Sequence, residues 1–355
     1  MFLRNSWYVI GWSKDLPSGG RPKGTVVIEQ PIVVWRDGDG KLHAAADRCP
    51  HRHAPLSMGR VTGNAIQCMY HGMTFGTDGR CIHMPLMDRA PEVFIRIYPV
   101  FEKDSWIWVW TGDPALADES LIPSAFGIDD AERPMRSSSI EYEAHYQLVH
   151  DNLCDLSHVD FVHETTLRQA SGAYWSETAP RIQSNERAIR FERWFENADL
   201  PGQPGEKADT WITYDFALPG IFILQGARYP VGTATRCQHA EPVGLEPLVR
   251  NIEQQAVTPI SKTRTAYHYA TGLIGNTREM TQQLAARMDV IMAAFEEDRQ
   301  MIEAQQRIWN LTDPSTPKVF LPQDKGPHLM RKLIERSIRR EQEVGMSPEL
   351  EAFGA

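Results

Sequence analysis

Cys49-Pro50-His51 is followed, sixteen residues later, by Cys68-Met69-Tyr70-His71, and these two segments decide the reading of the first third of the chain. Two thiolates and two imidazoles on paired loops suit either a zinc ion or a two-iron, two-sulfur cluster. Each segment mixes one Cys with one His. If the thiolates hold one iron and the imidazoles the other, each loop supplies one ligand to each metal, which favours the cluster over zinc. The surroundings read as short strands: Thr25–Ile28, Ile32–Trp35, Leu42–Ala45, Ile66–Cys68, Thr74–Phe75, Cys81–Ile82 and Trp106–Trp110. Asp37-Gly-Asp-Gly40 and Asp78-Gly79 are hairpin signals between them. Gly112-Asp113-Pro114 stops the last strand, so an all-β domain is expected over residues 1–112 and a second domain over 113–355.

The second domain carries another ligand-like group, Asn152-Leu-Cys-Asp155-Leu-Ser-His158 followed by His163. Two imidazoles and one carboxylate on one face of a metal leave positions open for oxygen and water, the set that suits an oxygen-activating iron. His158 and His163 are five residues apart, roughly 140° on a regular helix, so the helix is expected to break or bulge between them. Asp155 and His158, three apart, share a face. The carboxylate comes from a late helix expected over 277–309. There Leu284, Met288, Ile291, Phe295 and Ile302 repeat at steps of four and three, and Asp298 fills the missing position of that apolar stripe. An unpaired buried carboxylate costs several kcal/mol, so Asp298 either binds a metal or pairs with a base such as Arg264. Glu296 and Glu297 lie off the stripe and are expected to be solvated. His145, His150, His239 and His268 have no such partners in sequence and read as structural.

The strand runs Ile189–Phe195, Thr210–Leu218, Ile221–Leu224, Asn251–Val257 and Thr263–Ala270, with helices segregated from them, indicate an α+β domain on an antiparallel sheet. A net charge of −9 argues against a nucleic-acid partner. No apolar run reaches bilayer length and the opening residues have no signal core, so no membrane association and a cytoplasmic location are expected. Five scattered cysteines make a disulfide framework unsuited to this chain.

Cys49-Pro-His-Arg-His-Ala-Pro-Leu-Ser57 and Cys68-Met-Tyr-His-Gly72, with Asn5-Ser-Trp-Tyr8 and Trp106-Ile-Trp-Val-Trp110, resemble the Rieske iron–sulfur fingerprint. Met69 departs from it, standing where many relatives have a stiffening Pro. Asn152-x2-Asp155-x2-His158-x4-His163 and Glu297-Asp-Arg-Gln-Met-Ile-Glu-Ala-Gln305 resemble the iron motif and carboxylate helix of the oxygenase component of Rieske non-haem iron oxygenases. The short chain is similar to the branch of vanillate, dicamba and toluenesulfonate monooxygenases.

That resemblance implies a helix-grip, START-like catalytic domain, an antiparallel sheet flanked by helices. It implies that Cys49, His51, Cys68 and His71 hold a [2Fe-2S] cluster and that His158, His163 and Asp298 hold mononuclear Fe(II). Asn152 would lie near that iron. Asp155 would bridge His71 of one subunit to His158 of the next in a homotrimer, accepting the N–H of both rings. The implied activity is O2- and electron-dependent monooxygenation of a small aromatic substrate, with O- or N-demethylation or dealkylation foremost and ring or benzylic hydroxylation the alternative. A metal-binding electron carrier is the rival of another class. The chain has no Gly-rich dinucleotide fingerprint, so NAD(P)H would act through a separate flavin reductase or ferredoxin. Phe161, Trp211, Phe216, Ile221, Ile223, Leu273, Ile291 and Phe295 are candidate pocket walls, and Gln255 a polar contact. The basic tail from His328 to Glu343 reads as a solvated helix face.

Overall fold

A computed structural model describes residues 1–130, 133–200, 205–274 and 278–345. The chain divides into two units: the first comprises Met1–Ser124 with Thr258–Lys262 and the chain from Glu341, the second Ala125–Val257 and Thr263–Arg340. The expected boundary at residue 112 therefore falls inside the first unit.

The first unit is built from eleven short strands: β1 Trp7–Trp12, β2 Lys23–Val27, β3 Gln30–Arg36, β4 Leu42–Ala46, β5 Arg60–Thr62, β6 Ala65–Gln67, β7 Thr74–Phe75, β8 Cys81–His83, β9 Ile97–Tyr98, β10 Val100–Lys103 and β11 Trp106–Trp110. They form three sheets, β1-β11-β10, β2-β3-β4-β9 and β5-β6-β7-β8. All five residues of β11 are buried, as a continuous apolar run between turn signals requires. Trp110 meets Trp7 edge-on at 5.6 Å. The β3–β4 turn closes as its sequence demands: Asp37 accepts the backbone N–H groups of Asp39 and Lys41, and Gly40 takes φ +81°.

The second unit is a seven-stranded antiparallel sheet in the order β12-β18-β17-β16-β15-β14-β13. Its strands are β12 Met135–Tyr142, β13 Arg181–Ser184, β14 Ala188–Asp199, β15 Lys207–Ala217, β16 Ile221–Tyr229, β17 Val249–Ser261 and β18 Arg264–Leu273. Helices α1 Tyr146–Cys154, α2 Val159–Val162, α3 Leu167–Ser171, α4 Thr233–Arg236, α5 Arg278–Leu311 and α6 Lys325–Gly345 accompany it. Thr277, the expected start of the long helix, lies outside the described residues. Leu284, Met288, Ile291, Phe295 and Ile302 are all buried on α5, and Phe295 meets Tyr269 of β18 edge-on at 4.6 Å. The tail helix is not simply solvated. Met330, Leu333, Ile334 and Ile338 form a buried face on α6, and Arg331 pairs with Asp151 of α1. Among the described residues no helix is long and apolar enough to cross a membrane.

Candidate metal centres and substrate cavity

The two Cys/His loops are built alike. Cys49 donates its N–H to the Ala54 carbonyl at 2.9 Å and accepts from His53 N–H at 2.8 Å. Cys68 donates to the Met73 carbonyl at 2.8 Å and accepts from Gly72 N–H at 2.9 Å. Each loop returns through a left-handed residue, His53 at φ +57° and Gly72 at φ +79°. At Gly72 a Cβ would lie 2.7 Å from Pro85 Cγ, so conformation and space both require glycine. Without Pro at position 69 the second loop is held from below instead. The Gly72 carbonyl accepts the Thr74 hydroxyl at 3.0 Å and Gln67 Nε2–H at 3.2 Å. Both cysteines are buried, whereas His51 and His71 are exposed with ring centroids 4.6 Å apart. Burial pushes the Cys49 thiol up, and the adjacent Cys68 sulfur adds to this. Two neighbouring sulfurs shielded from water and two adjacent imidazoles at the surface are the donor types a Rieske cluster takes.

The second group forms where α1 ends. Asp155 leaves the helix at φ −132°, ψ 95°, and its carboxylate accepts Ser157 N–H at 2.9 Å to start a single 3-10 turn over Leu156–His158. The break thus precedes His158 rather than separating the two histidines. His158 and His163 are the flanking residues of the short α2, and His163 departs at φ −108°, ψ 32°. End positions free the rings from helical spacing, and their centroids lie 5.2 Å apart.

Asp298 of α5, 3 % exposed, completes the group: one donor atom each from His158, His163 and Asp298 lie within 4.8 Å of one another. The Asp298 carboxylate is 3.5 Å from His158 Nε2 and 3.2 Å from His163 Nε2. Asn152 Nδ2–H donates to Asp298 Oδ1 at 2.8 Å and lies 3.3 Å from His158 Nε2. Arg264, the alternative partner for Asp298, pairs instead with Glu141 and Glu143.

Both imidazoles are oriented from behind. His158 Nδ1 lies 2.6 Å from the main-chain carbonyl of Asp155, and His163 Nδ1 lies 2.8 Å from Glu297 Oε2, which also accepts the Thr166 hydroxyl at 2.7 Å. Glu297 is therefore not the solvated acid its place off the stripe suggested; one residue along the helix from Asp298, it reaches the far side of the same ring. Glu296 pairs with Arg299 at the surface. These partners put the Nδ1 protons on the rear of the rings and leave both Nε2 lone pairs facing Asp298. His163 Nε2 is buried and without a hydrogen-bond partner among the described residues. Burial pulls the His163 pKa down, but the Asp298 and Glu297 carboxylates outweigh it and hold it above the usual value. An orphaned buried nitrogen in a field that favours positive charge fits a divalent metal.

A cavity opens from this group, lined by alternate residues of the sheet and successive turns of α5. β15 contributes Thr210, Ile212 and Tyr214; β16 contributes Leu224 and Arg228; β17 contributes Asn251, Glu253 and Gln255; α5 contributes Arg287, Ile291, Phe295 and Asp298. Steps of two and four on strands, and of four, four and three on the helix, are the periods of one face of each. Of the expected wall residues, Gln255, Ile291 and Phe295 lie here with Asn152, His158, His163 and Asp298. Ile221, Ile223 and Trp211 have the wrong strand parity. Trp211 packs on Trp194 at 5.2 Å. Phe216 packs on His150, Leu273 lies buried off the cavity, and Phe161 is 75 % exposed. Tyr214, Arg228, Asn251, Glu253 and Arg287 are wall residues that strand parity or the α5 period marks only once the facing side is known, and Trp175 joins them from the connection between α3 and β13.

Comparison with known proteins covers both units. Residues 6–99 match the Rieske [2Fe-2S] domain, and residues 142–340 match the vanillate O-demethylase oxygenase C-terminal domain. The chain is 32% identical over 350 residues to the toluene-4-sulfonate monooxygenase system iron-sulfur subunit of Comamonas testosteroni, covering 96% of this chain and 98% of that one. It is 30% identical to the vanillate O-demethylase oxygenase subunit of a Pseudomonas species, covering 97% of each. Among solved structures it is similar to dicamba monooxygenase bound to dicamba, with TM-score 0.84, 26% identity, and coverage of 96% of this chain and 99% of that chain.

Proposed function

Since the chain belongs to the Rieske monooxygenases whose catalytic half is the vanillate O-demethylase oxygenase C-terminal domain, we propose that it is the oxygenase component for oxidative O- or N-demethylation of a substituted aromatic. The observation that carries this reading is the convergence of His158, His163 and Asp298 on one end of a largely apolar cavity. When bound, the cluster would supply single electrons and the mononuclear iron the O2-dependent oxidation of a substrate C–H bond. Cys49, Cys68, His51 and His71 would hold the first, and His158, His163 and Asp298 the second.

The chain's own groups supply position and protection. Asn152 holds the Asp298 carboxylate, and Glu297 and the Asp155 carbonyl keep the protons at Nδ1 of His163 and His158. Ile212, Leu224, Ile291 and Phe295 hold an aromatic ring away from water and present one substituent to the metal end. A methyl on oxygen or nitrogen, once hydroxylated, collapses with release of formaldehyde. Hydroxylation of a benzylic carbon is the second reading, favoured by the toluene-4-sulfonate relative.

Electrons come from a separate ferredoxin or flavin reductase fed by NAD(P)H, as an oxygenase component requires. In a homotrimer the Asp155 carboxylate bridges His71 of one subunit to His158 of the next. Free cysteines at all five positions fit a reducing, cytoplasmic compartment. The test is turnover with a matched reductase against methoxy-, N-alkyl- and methyl-substituted aromatics. Reductant-dependent formaldehyde supports demethylation, hydroxymethyl products support the second reading, and no oxidation of any compound overturns both.

A further inference from the structure

The cavity has two chemically different ends, and the far one is charged. Asp298, Phe295, Ile291 and Arg287 follow one face of α5, so Arg287 stands about 16 Å along the helix from the metal end at 1.5 Å per residue. The strands run the same way. Tyr214 pairs with Leu224, Ile212 with Gly226 and Thr210 with Arg228, so Arg228 and Thr210 form the last row. Between the ends lie Ile212, Leu224, Ile291 and Phe295.

The charges at the far end do not cancel. Arg287 donates Nε–H to the Thr271 hydroxyl at 2.7 Å, and its other arm pairs with Glu253 Oε1. Gln255 Nε2–H occupies Glu253 Oε2 at 3.1 Å. Glu253 is thereby fully engaged. Arg228 lines the same cavity, largely withdrawn from water, and no hydrogen bond or ion pair engages its side chain among the described residues. Burial, and then the neighbouring Arg287, press its pKa below the ordinary arginine value. A guanidinium remains charged regardless, so among the described residues the two cations and one anion lining this end of the cavity leave a surplus positive charge. Gly226 keeps the adjacent row open: a Cβ there would lie 2.4 Å from Asn251 Oδ1.

We propose that Arg228 anchors an anionic group and that the substrate is an aromatic carboxylate or sulfonate, its ring in the apolar middle and its reacting carbon at the metal end. This deepens the oxygenase reading of the cavity and rests on it. A planar guanidinium meets either acid through two parallel N–H···O bonds, and the anion supplies the counter-charge the protein withholds. A fixed anion also sets which end of the ring faces the metal.

Calorimetric titration of the anaerobic holoenzyme tests this with 4-methoxybenzoate and toluene-4-sulfonate against their uncharged partners, 4-methoxybenzamide and toluene-4-sulfonamide. The wild type is expected to bind at least one anion about tenfold or more tighter than its uncharged partner. Arg228→Met is expected to remove about tenfold or more of the anion's affinity while changing the uncharged compound by less than about threefold, and Arg228→Lys to retain part. Equal affinity for charged and uncharged partners in the wild type overturns the proposal without any variant, as does millimolar failure to bind either anion or an equal loss for both classes in Arg228→Met. Product analysis in parallel separates the two readings. Arg228-dependent anion binding with no oxidised product sinks the oxygenase reading alone. Oxidation of charged and uncharged compounds with equal kcat/KM sinks the anchor alone.

Discussion

His163 shows how one ring is made ready for a metal. Its Nδ1 is taken by Glu297 at 2.8 Å, so its Nε2 lone pair faces Asp298. Glu297→Gln removes the charge behind the ring but keeps an oxygen that can accept from it. Iron affinity is expected to fall about tenfold to a hundredfold, read by chelator competition, with the cluster absorbance unchanged. Unaltered affinity would make Glu297 a bystander. Asp155 separates two roles of one side chain. Its carboxylate caps the turn before His158, a task Asn performs as well, whereas the charge that would bridge two imidazoles is lost in Asp155→Asn. That variant is expected to retain both metal centres and lose nearly all turnover; full activity would contradict the bridge.

At the scale of the element, α1 carries both a site and a liability. Asn152 and the Asp155 turn stand at its end, while His150, two residues before Asn152, is wholly buried among Tyr146, Phe216 and Phe222, and neither ring nitrogen is hydrogen-bonded among the described residues. Burial lowers the His150 pKa to about 3, and burial likewise lowers that of His145 at the helix start to about 4. A group whose folded pKa is depressed takes up its proton in the unfolded chain first, so its stabilisation is full above about pH 6.5 and is lost as pH falls toward the folded value. Between pH 7 and pH 5 the His150 share is about 2 kcal/mol. Urea unfolding is expected to show that difference shrink by about this amount in His150→Phe. An unchanged pH dependence would show that His150 is hydrated or paired in solution.

At the scale of the molecule, the two donor sets would hold two different metal centres in one polypeptide. Freshly purified protein is expected to contain three irons per chain and, on reduction, to show the paramagnetic signal of a Rieske cluster. Zinc in place of iron, or a fully metallated protein without that signal, would remove the basis for oxygen chemistry. Sedimentation at working concentration is expected to give a trimer, and dissociation by dilution is expected to abolish turnover while leaving the iron content intact. A fully active monomer would dispose of electron transfer between subunits.

Candidate ligands were legible in the residues themselves, because metal preference follows from donor type and a misplaced polar group is visible against an apolar stripe. Spacing marked Cys49, His51, Cys68 and His71 as a set for a zinc ion or an iron–sulfur cluster, and its place on the buried face of α5 marked Asp298 as a metal ligand or half of an ion pair. The strands were legible in existence and type, since alternation and turn residues are local properties. Glu297 was not legible: whether an acid beside a ligand meets water or the rear of an imidazole depends on where α2 lies against α5. Nor were the cavity walls, because Ile221 and Ile223 are as apolar as Leu224 and only the direction in which β16 faces separates them. The surplus charge of Arg228 is likewise a tertiary fact. An arginine in a strand has no partner, or has one, only after the neighbouring strands and α5 have come to rest beside it.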